Sequence, residues 1–561
     1  MELLNVQSLF KEAIFKIPNY QRGYAWEDEQ IADFLADLQD SVGQNEHYTG
    51  TITVVKKGDK KIFPQSFKLY DVVDGQQRLT TISIFIVCIH ERLRILGLLE
   101  DDLKDIHKNV VFKDTPILEL NDDSNAFYQN HIVKGKVTEL PKKFGNKSEK
   151  NLANAKKQIA KFLDSYKSVE KVQVLYETLT AKFKVNFFSL SSDFEVGIVF
   201  ETMNNRGLAL SQIDKVKNYL IYLSSRLNDN ELAEYINLQF GLVFKALMKA
   251  EDASSRLEDN FLRYSYIVYT GIYNEYDIHK EVKISLLPKG KATAGDIKAY
   301  VNFLVKTAAI FSKLSTLSFD NPKVNEQLYR LKYLRNIANI SPFMIAFCLT
   351  FTEKDLANIL PLLEIFSFRV YCIVGSRSDT GSSKFHRLSH NIYKNIASLE
   401  KIENDILNWT WEYGWDEKFE TSLKSSYFYE EKESSEMRYL FYEFENYTNV
   451  QNLSTFGVTN FPEWVAKYDK IAQVEHIDPQ TPQNREPSKY VHKLGNLTLT
   501  LNNGELENKE FANKKKIYEQ SDLIIERVLS KLKVWNDDII LERTQEIIDF
   551  VKDRWAIQWK E

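Results

Sequence analysis

The spacing of apolar residues predicts a mixed α/β region over the first 90 residues. Residues 29–41 place Ile31, Phe34 and Leu38 at helical spacing, which predicts a helix with one buried face. Apolar or β-branched runs typical of strands lie at residues 13–18, 51–55 and 68–73. The last of these runs leads through a glycine turn into an apolar segment at 79–96, which predicts a long helix. The region therefore predicts a strand, a tight turn and a helix in succession.

Helical spacing dominates the middle of the chain, and the C-terminal part changes character. Between residues 100 and 225 the pattern predicts a helix at 152–169, a strand at 183–190, a helix starting at 196–204 and a helix capped by Ser211. Helices prevail from there to about residue 430. The elements predicted beyond it are a helix at 437–447, strands at 472–477 and 494–501, and a lysine-rich helix from about 508. This order of strand, long loop, strand and helix is a ββα arrangement.

Composition narrows the fold class and the class of partner. The chain has 561 residues but only 12 Pro and 20 Gly, which disfavours an all-β protein and fits long helices with few breaks. A multidomain, predominantly α protein with α+β modules is expected, with three or four domains or two large ones at roughly 100–200 residues per domain. The net charge of −5 excludes a generic polyanion binder, so any nucleic-acid contact must come from a local basic patch.

The cysteines and the apolar runs bear on the compartment. Cys88, Cys348 and Cys372 form no C-x-x-C pair, so neither a disulfide framework nor a cysteine zinc knuckle is expected. The N-terminus lacks the basic and apolar regions of a signal peptide. The longest apolar runs, 340–351 and 82–89, are shorter than the roughly 18–20 residues that span a bilayer. A soluble, cytoplasmic protein with no membrane partner is expected.

The glycine turn ahead of the first long predicted helix has the chemistry of a phosphate site. It consists of Asp74, Gly75, Gln76, Gln77 and Arg78. Glycine permits a tight turn, the helix start offers free N–H groups and the positive end of a dipole, and Arg78 adds a bidentate donor. These features suit a nucleoside triphosphate or another phosphate. A surface turn with a solvated arginine explains the pentapeptide equally well.

Residues 17–26 favour the phosphate interpretation. They bring Tyr20, Gln21, Arg22 and Trp26 together after a proline. Aromatic faces with an arginine suit stacking on a base and contact with a phosphate. We therefore expect these four side chains to contact the nucleotide or a DNA group, and Tyr20, Gln21 and Trp26 to line the same cavity as the arginine of the glycine turn. The alternative is a hydrophobic anchor for the N-terminal strand.

Residues 200–218 favour the same interpretation. They place Asn204 and Arg206 in a polar turn between two predicted helices, with Asp214 and Lys217 shortly after it. A helix C-cap followed by a helix N-cap is the alternative, but it leaves those four polar residues unexplained. A P-loop ATPase is not supported, because the nearest candidate for a Walker A box lacks the earlier glycine and the Ser or Thr.

The C-terminal ββα pattern carries the residues that phosphodiester hydrolysis needs. Such a reaction needs a base that activates water and a divalent metal that stabilises charge on the phosphate. His476 at a strand end can be the base, since a histidine near its ordinary pKa of about 6.5 can accept a proton at working pH. Glu475 and Asn508 can hold Mg²⁺, a hard cation, and Asn496 can orient the histidine. The alternative is a structural zinc site or a core histidine, and the scarcity of cysteines disfavours zinc.

Both sets of residues resemble the GmrSD-type modification-dependent (type IV) restriction endonucleases. In the N-terminal part the resemblance rests on I-P-x-Y-Q-R-x-Y-x-W, D-G-Q-Q-R-L-T-T and F-E-x-M-N-x-R-G, and in the C-terminal part on V-E-H-I-D-P-Q and H-K-L-G-N-L-T-L-T. It covers most of the chain. It implies a ParB/sulfiredoxin-like NTPase and sensing domain at 1–225, a helical connector at 226–430 and an HNH (ββα-metal) nuclease domain at 431–561.

The resemblance also implies an activity, cofactors and partners. It implies an anti-phage endonuclease that depends on or is regulated by GTP or ATP, uses Mg²⁺ or Mn²⁺ and cleaves modified double-stranded phage DNA. A double-strand break would then need a homodimer or serial nicking. Within the HNH module the loop after Thr500 leaves the third HNH residue open between Asn508, Asn503 and Asn513. The rival functions are a toxin nuclease that attacks unmodified nucleic acid and a catalytically inactive DNA-binding regulator.

Overall fold

Two compact units make up the chain. The structure is a computed structural model that describes residues 2–43, 46–190, 211–227, 229–250, 255–273, 277–334, 338–452, 460–482 and 485–559. The first unit comprises Met1–Ser265 with Asn274–Thr316, and the second comprises Tyr266–Tyr273 with Leu317–Glu561. Helices dominate, and a mixed sheet lies near the N-terminus. The prediction of a multidomain, mainly helical protein with an N-terminal α/β region is therefore confirmed.

The first unit is built on a six-stranded mixed sheet. The strands of this sheet are β1 (Glu2–Asn5), β2 (Ala13–Lys16), β3 (His47–Ile62), β4 (Gln65–Asp74), β7 (Leu118–Glu119) and β8 (Phe183–Leu190). Two further strands, β5 (Val111–Phe112) and β6 (Thr115–Pro116), form a separate pair. The strand order in the sheet is β1-β8-β3-β4-β2-β7, and β5 pairs with β6. Strands β3 and β4 are antiparallel, whereas β2 is parallel to β4 and β8 is parallel to β3. Ile52 and Val72 are fully buried, as expected for apolar runs in central strands.

One apolar helix forms the centre of the first unit. The helices of this unit are Val6–Glu12, Asp28–Asp40, Gln76–Ile95, Glu100–His107, Asp122–Phe127, Lys147–Leu163, Val169–Glu177, Gln212–Arg226, Asn230–Met248, the start of Ser255–Thr270, Ile278–Glu281 and Ala294–Thr316. In the helix Gln76–Ile95, Ile82, Phe85 and Ile89 have no exposed surface. A helix that is apolar on nearly all sides belongs inside a core. The glycine turn before it is therefore held between the sheet and the core.

The second unit is helical around a small two-stranded sheet. Its strands are β9 (Gln473–His476) and β10 (Leu497–Thr500), and its helices are Pro322–Tyr333, Ser341–Thr350, Glu353–Phe366, Ser382–Tyr393, Leu399–Gly414, Asp416–Leu423, Phe428–Glu431, Ser434–Gln451, Phe461–Tyr468, Asn503–Leu506, Phe511–Tyr518, Ile524–Ser530 and Asp537–Arg554. The ring of Trp555 stacks on Phe368 at 3.8 Å between centroids. Arg554 pairs with Glu364 at 3.0 Å and with Glu443 at 2.8 Å. The contacts to Phe368 and Glu364 join the C-terminal end of the last helix to residues that the sequence placed in a connector.

Most predicted elements are present, with shifted ends. The predicted helix 152–169 ends at Leu163, because Ser168 accepts a hydrogen bond from Lys171 N and caps the next helix. The predicted strand 494–501 begins only at Leu497, after one tight helical turn. The helix predicted at 196–204 lies outside the described residues. The predicted connector, 226–430, is shared between the two units, and the three-domain division itself stays a prediction.

One segment of the second unit is long and apolar enough to cross a membrane. It is Glu353–Ile373, and 72% of its most apolar window is buried inside the protein. Buried core helices commonly reach such length and composition. The segment was missed in the sequence because Glu364 and Arg369 interrupt its apolar run; both are buried and hydrogen-bonded.

Candidate functional site

The glycine turn that ends β4 is part of the packed interior of the first unit. Gly75 has a φ of +86° and caps the helix Gln76–Ile95. A Cβ atom at this position would lie 2.9 Å from Ile52 Cγ1 and 3.1 Å from the Thr51 carbonyl oxygen. Both the left-handed conformation and the close approach to β3 therefore require glycine.

Arg78 lies in the first turn of that helix and is half-buried. Its Nη1 donates to the Thr51 carbonyl at 3.0 Å. Burial lowers the pKa of Arg78, and the carboxylate of Asp74 opposes that shift. Burial also raises the pKa of Asp74, against the Gly75 N–H and the Arg78 charge. A guanidinium has five N–H donors, so Arg78 retains the capacity to bind an anion beside Thr51.

Gln77 ties the helix to the aromatic segment 17–26. Its Oε1 accepts from the Ala25 N–H at 2.8 Å, and its Nε2 donates to the Gly23 carbonyl at 3.1 Å. The buried Tyr24 hydroxyl bonds to Thr81 on the same helix at 2.8 Å. The structure thus joins two motifs that the sequence singled out separately. The Gln77 amide is committed to backbone groups in this arrangement.

A small polar cleft lies between these two motifs. It has a volume of about 200 Å³ and is lined by Ile17, Arg22, Gly23, Tyr24, Gln76, Gln77, Thr80, Leu120 and Asn121. In the described part of the chain, Oε1 of Gln76 and Oδ1 of Asn121 are buried without a hydrogen-bond partner. A buried polar atom without a partner is costly. These two amides are therefore groups that a polar ligand can satisfy.

A second cleft receives the other end of the aromatic segment. It has a volume of about 240 Å³ and is lined by Tyr20, Gln21, Val73, Lys217, Asn218, Ile221 and Asn237. Lys217 Nζ donates to the Tyr20 carbonyl at 2.9 Å and lies 4.3 Å from the centroid of its ring. Gln21 Nε2 donates to the Val73 carbonyl at 3.0 Å.

The two clefts do not bring the aromatic segment together with Arg78. Tyr20 and Gln21 line the second cleft, Arg78 lines neither of the two, and Trp26 packs against Phe34 with ring centroids 6.2 Å apart. The Ala25 N–H and the Gly23 carbonyl are both hydrogen-bonded to Gln77. These bonds hold the backbone beside Trp26 so that its ring packs on the core. For Trp26 the anchor interpretation is the better one.

An ionic cluster adjoins the first cleft. Arg22 Nη1 lies 3.6 Å from Glu258 Oε2, and Arg22 Nε lies 4.0 Å from Asp214 Oδ2. Ser211 caps the helix Gln212–Arg226, and its hydroxyl donates to Asp214 at 2.7 Å. Burial raises the pKa of Glu258 to about 7, although Arg22 opposes the shift. Asn204 and Arg206, predicted to belong here, lie outside the described residues.

The second candidate site lies at the end of β9. Strands β9 and β10 are antiparallel, with His476 opposite Leu497 and Glu475 opposite Thr498. The His476 ring meets the Tyr429 ring edge-on at 4.3 Å, and Gln480 Nε2 lies 3.2 and 3.1 Å from its two ring nitrogens. The His492 ring lies 5.4 Å away. His476 is thus held on several sides, with 6% of its surface exposed.

The protonation of His476 differs from the sequence-based expectation. Burial, together with the charges of His492 and Lys514, lowers the pKa of His476 to about 3. The expectation of an ordinary pKa near 6.5 is therefore wrong for the protein without DNA. Desolvation favours the uncharged imidazole, so the ring is neutral over the whole physiological range.

Asn496 lies between the loop and the strand that frame His476. The Asn496 carbonyl accepts from the Ile477 N–H at 2.8 Å. Its fully buried side chain donates to the carbonyls of Asp478 and Val491 and accepts from the Asp478 N–H. Trp535 Nε1 donates to its Oδ1 at 2.9 Å. The side chain therefore fixes the backbone directly after His476.

Glu475 faces away from His476 and is paired with a lysine. Lys514 Nζ donates to Glu475 Oε1 at 2.5 Å and to the His476 carbonyl at 2.6 Å. Burial raises the pKa of Glu475, and Lys514 opposes the shift. The alternation of side chains along a strand places Glu475 and His476 on opposite faces.

The three asparagines considered for the third HNH position lie in different settings. Asn508 is exposed in a turn directly after Glu507, which has a φ of +43°. Asn503 donates to Gln473 Oε1 at 2.6 Å, and Asn513 is exposed on the helix Phe511–Tyr518. Within the described ranges, no group of three or more His, Cys, Asp or Glu side chains is arranged to hold a metal ion. Of the expected ligand pair, Glu475 is buried and paired with Lys514, whereas Asn508 is an exposed turn residue.

Sequence reasoning gave no role to four residues that the structure brings to these sites. Glu258 joins Arg22, Lys514 joins Glu475, and Tyr429 and His492 pack against His476. His492 belongs to a motif quoted above, and Lys514 lies in the lysine-rich helix predicted from about residue 508, so both carry a local signal. Glu258 and Tyr429 carry no local signal, since each comes from a helix distant in sequence.

Two family models match the chain. Residues 6–221 match the N-terminal domain of the GmrSD restriction endonuclease, and residues 414–550 match the C-terminal domain of the GmrSD restriction endonucleases. The first match contains the glycine turn and the aromatic segment, and the second contains β9, β10 and the following helices. No curated protein matches the chain. Because the two matches together cover most of its length, the chain belongs to the GmrSD restriction endonuclease family, a group of DNA-cleaving nucleases of phage defence.

Proposed function

We propose that the chain is a nucleotide-regulated endonuclease of the HNH type that cleaves modified phage DNA. The observation that carries the proposal is the site at the end of β9. A neutral, enclosed histidine lies beside a buried asparagine that fixes its backbone, on a two-stranded sheet followed by helices. This is the order of elements that a ββα nuclease needs.

His476 has the properties of a general base in this proposal. It would take a proton from the water that attacks the scissile phosphate. Its low pKa in the protein alone makes it a weak base before DNA binds. The negative charge of a bound phosphate favours the imidazolium form, which raises the pKa towards the working range. Substrate binding would therefore activate the base.

The proposal includes a divalent metal, Mg²⁺ or Mn²⁺. The side chains expected to bind this metal are not arranged to do so in the structure. Glu475 is bound to Lys514, and Asn508 is exposed in a turn. Asp478, the next carboxylate along the chain, is also committed, because it accepts from the Ser488 N–H at 3.1 Å and pairs with Arg485. We therefore assign no catalytic step to the metal.

The first unit would bind and hydrolyse GTP or ATP in a ParB/sulfiredoxin-like module. Support comes from the half-buried Arg78 at a helix start and from the two amide oxygens without a partner, Gln76 Oε1 and Asn121 Oδ1, in the cleft that Arg22 also lines. Both clefts are too narrow to enclose a nucleotide in the present arrangement. The clefts would thus have to widen before a nucleotide could enter. Nucleotide binding would therefore be coupled to a conformational change of the first unit.

The test is cleavage of matched modified and unmodified phage DNA by the full chain, with GTP, ATP or no nucleotide and with Mg²⁺ or Mn²⁺. We expect cleavage of modified DNA that depends on nucleotide. His476→Ala should lower the rate by roughly 10²–10⁴-fold while nucleotide turnover persists. Equal cleavage of unmodified DNA would instead favour a toxin nuclease. No cleavage of either DNA would favour an inactive DNA-binding regulator.

The number of subunits can be read from the same assay when the substrate is a circular plasmid that carries the modification. One HNH site cuts one strand, so a double-strand break needs two sites or two events. We propose that a homodimer supplies them. Serial nicking by one subunit would instead make nicked plasmid accumulate before linear DNA. The rate of nicking would then not depend on whether the enzyme is a dimer.

A further inference from the structure

Lys514 is an unusual residue for its position. It lies on the helix Phe511–Tyr518, and its side chain has no exposed surface. Lysine is almost never fully buried unless its charge is paired. Here Nζ donates to Glu475 Oε1 and to the His476 carbonyl, at 2.5 and 2.6 Å. A carboxylate and a carbonyl oxygen are also ligands that hard divalent cations prefer. The ammonium thus occupies a position suited to a cation.

The other titratable groups near Glu475 do not offer a positive charge in place of Lys514. Its carboxylate lies on the face of β9 opposite to His476, where Tyr518 and Glu526 are its other titratable neighbours. Both neighbours are buried. Their burial raises the pKa of each group, which favours their uncharged forms. Lys514 is therefore the positive charge that balances Glu475 at this place.

From this geometry we infer that Lys514 is the permanent counter-charge of Glu475, and that Glu475 is not a ligand of the divalent metal used in DNA cleavage. A metal ion on Glu475 would have to displace the ammonium. Lys514 would then be a buried charge without its partner, which is strongly unfavourable. The inference rests on the proposed nuclease function only in that it concerns the metal of that reaction.

The experiment compares the full chain with the variant Glu475→Gln. Glutamine keeps an acceptor oxygen for Lys514 and removes the negative charge that a metal needs. The readout is the shift in thermal unfolding temperature on titration with MnCl₂, since a ligand that binds the folded state raises that temperature. We expect equal Mn²⁺-induced shifts in the two proteins. A shift that the wild type shows and Glu475→Gln lacks, corresponding to a loss of affinity of about tenfold or more, would overturn the inference.

A matched control measures the effect of charge alone. Glu505→Gln removes one carboxylate from an exposed position on the helix Asn503–Leu506. Its Mn²⁺-induced shift should equal that of the wild type. If Glu475→Gln lowers the shift and Glu505→Gln does not, Glu475 is a ligand and the inference fails.

A second pair of variants keeps the test valid if Glu475→Gln does not fold. Lys514→Met leaves the buried carboxylate unbalanced, whereas Lys514→Met combined with Glu475→Met removes both charges from a buried site. We expect the double variant to unfold at a higher temperature than Lys514→Met alone. Equal or lower stability of the double variant would overturn the pairing. These readouts do not depend on cleavage, so a wild type that fails to cut DNA would remove the proposed function and leave this inference standing.

Discussion

Asn496 and Asp478 are joined by two hydrogen bonds that run in opposite directions. Oδ1 of Asn496 accepts from the Asp478 N–H at 2.8 Å, and its Nδ2 donates to the Asp478 carbonyl at 3.0 Å. Nδ2 also donates to the Val491 carbonyl at 2.8 Å. One side chain thus holds both ends of the loop between β9 and β10, and with it the backbone next to His476.

The first prediction concerns this side chain. Asn496→Ala leaves several buried backbone groups without a partner, each costing about 1–3 kcal/mol. We expect the free energy of unfolding of the second unit to fall by about 2–4 kcal/mol, measured by urea unfolding. Asn496→Asp is the matched variant, because it keeps the acceptor oxygen and loses both donated bonds. Wild-type stability of Asn496→Ala would show that the loop holds itself in place.

The second prediction concerns Gly495, the glycine of the G-N-L motif. A Cβ atom at Gly495 would collide with the Ile540 carbonyl and the Thr544 hydroxyl and lie 2.7 Å from Thr544 N, all on the helix Asp537–Arg554. Backbone atoms cannot move aside as a flexible side chain can. We expect Gly495→Ala to lower the thermal unfolding temperature and the cleavage rate together.

Gly504→Ala is the control for that substitution. Nothing lies within 4 Å of a Cβ at Gly504, and the residue is in the helix Asn503–Leu506. Alanine is the better helix former by about 1 kcal/mol, so this variant should be as stable as the wild type or more stable. Similar losses in both variants would mean that the close approach of Gly495 to the last helix is unimportant.

The sequence predicts the local pattern of both sites well. The strand–turn–helix unit at residues 68–96 and the ββα order at 472–518 follow from hydrophobic periodicity and from residues with a restricted local role, such as Gly75 and Ser211. These features depend on short-range steric and hydrogen-bonding rules, which a single sequence displays.

Long-range pairing is what the sequence does not display. The Arg22–Glu258 and Glu475–Lys514 pairs join residues that are far apart along the chain. The shift in the pKa of His476 likewise comes first from burial, and then from the charges of His492 and Lys514. Burial is a property of the folded unit, so neither the partners nor the protonation state could be predicted from a motif.

The third prediction concerns nucleotide binding at Arg78. Arg78→Ala removes a charge-assisted bidentate donor, and we expect nucleotide affinity to weaken by about 2–3 kcal/mol, with loss of hydrolysis. A fluorescent nucleotide titration measures it. Arg94→Ala is the control, because Arg94 is exposed near the other end of the same helix. If folded Arg78→Ala keeps the wild-type nucleotide affinity and turnover, Arg78 is not a nucleotide-binding residue.

A variant at Gly50 tests the position of the guanidinium separately from its charge. Gly50 has a φ of +112°, and a Cβ there would lie 2.7 Å from Arg78 Nη2. Gly50→Ala should therefore displace the guanidinium while Arg78 stays charged. We expect it to weaken nucleotide binding, though less than Arg78→Ala does. Full affinity in Gly50→Ala would mean that the place of the guanidinium beside Thr51 does not matter.

The fourth prediction concerns the pH dependence of stability. The pKa of His476 is about 3 in the folded protein and about 6.5 in the unfolded chain. Above about pH 6.5 both states hold the neutral ring, so its contribution is fully present. As the pH falls from about 6.5 towards 3, the unfolded state binds a proton that the folded state does not, and folding is destabilised. Between about pH 7 and pH 5 this one group should lower the free energy of unfolding by about 2 kcal/mol.

His476→Gln isolates that contribution, because glutamine is polar and does not titrate. Chemical unfolding at several pH values should show that the wild type loses about 2 kcal/mol more than His476→Gln between about pH 7 and pH 5. His90 and His107 also have a lowered pKa through burial, but both remain in the variant and cancel in the difference. DNA binding should reduce the difference, since a phosphate beside the ring favours its charged form. Parallel pH profiles for the two proteins would mean that the His476 ring is open to water, and the argument that substrate binding activates the base would then fail.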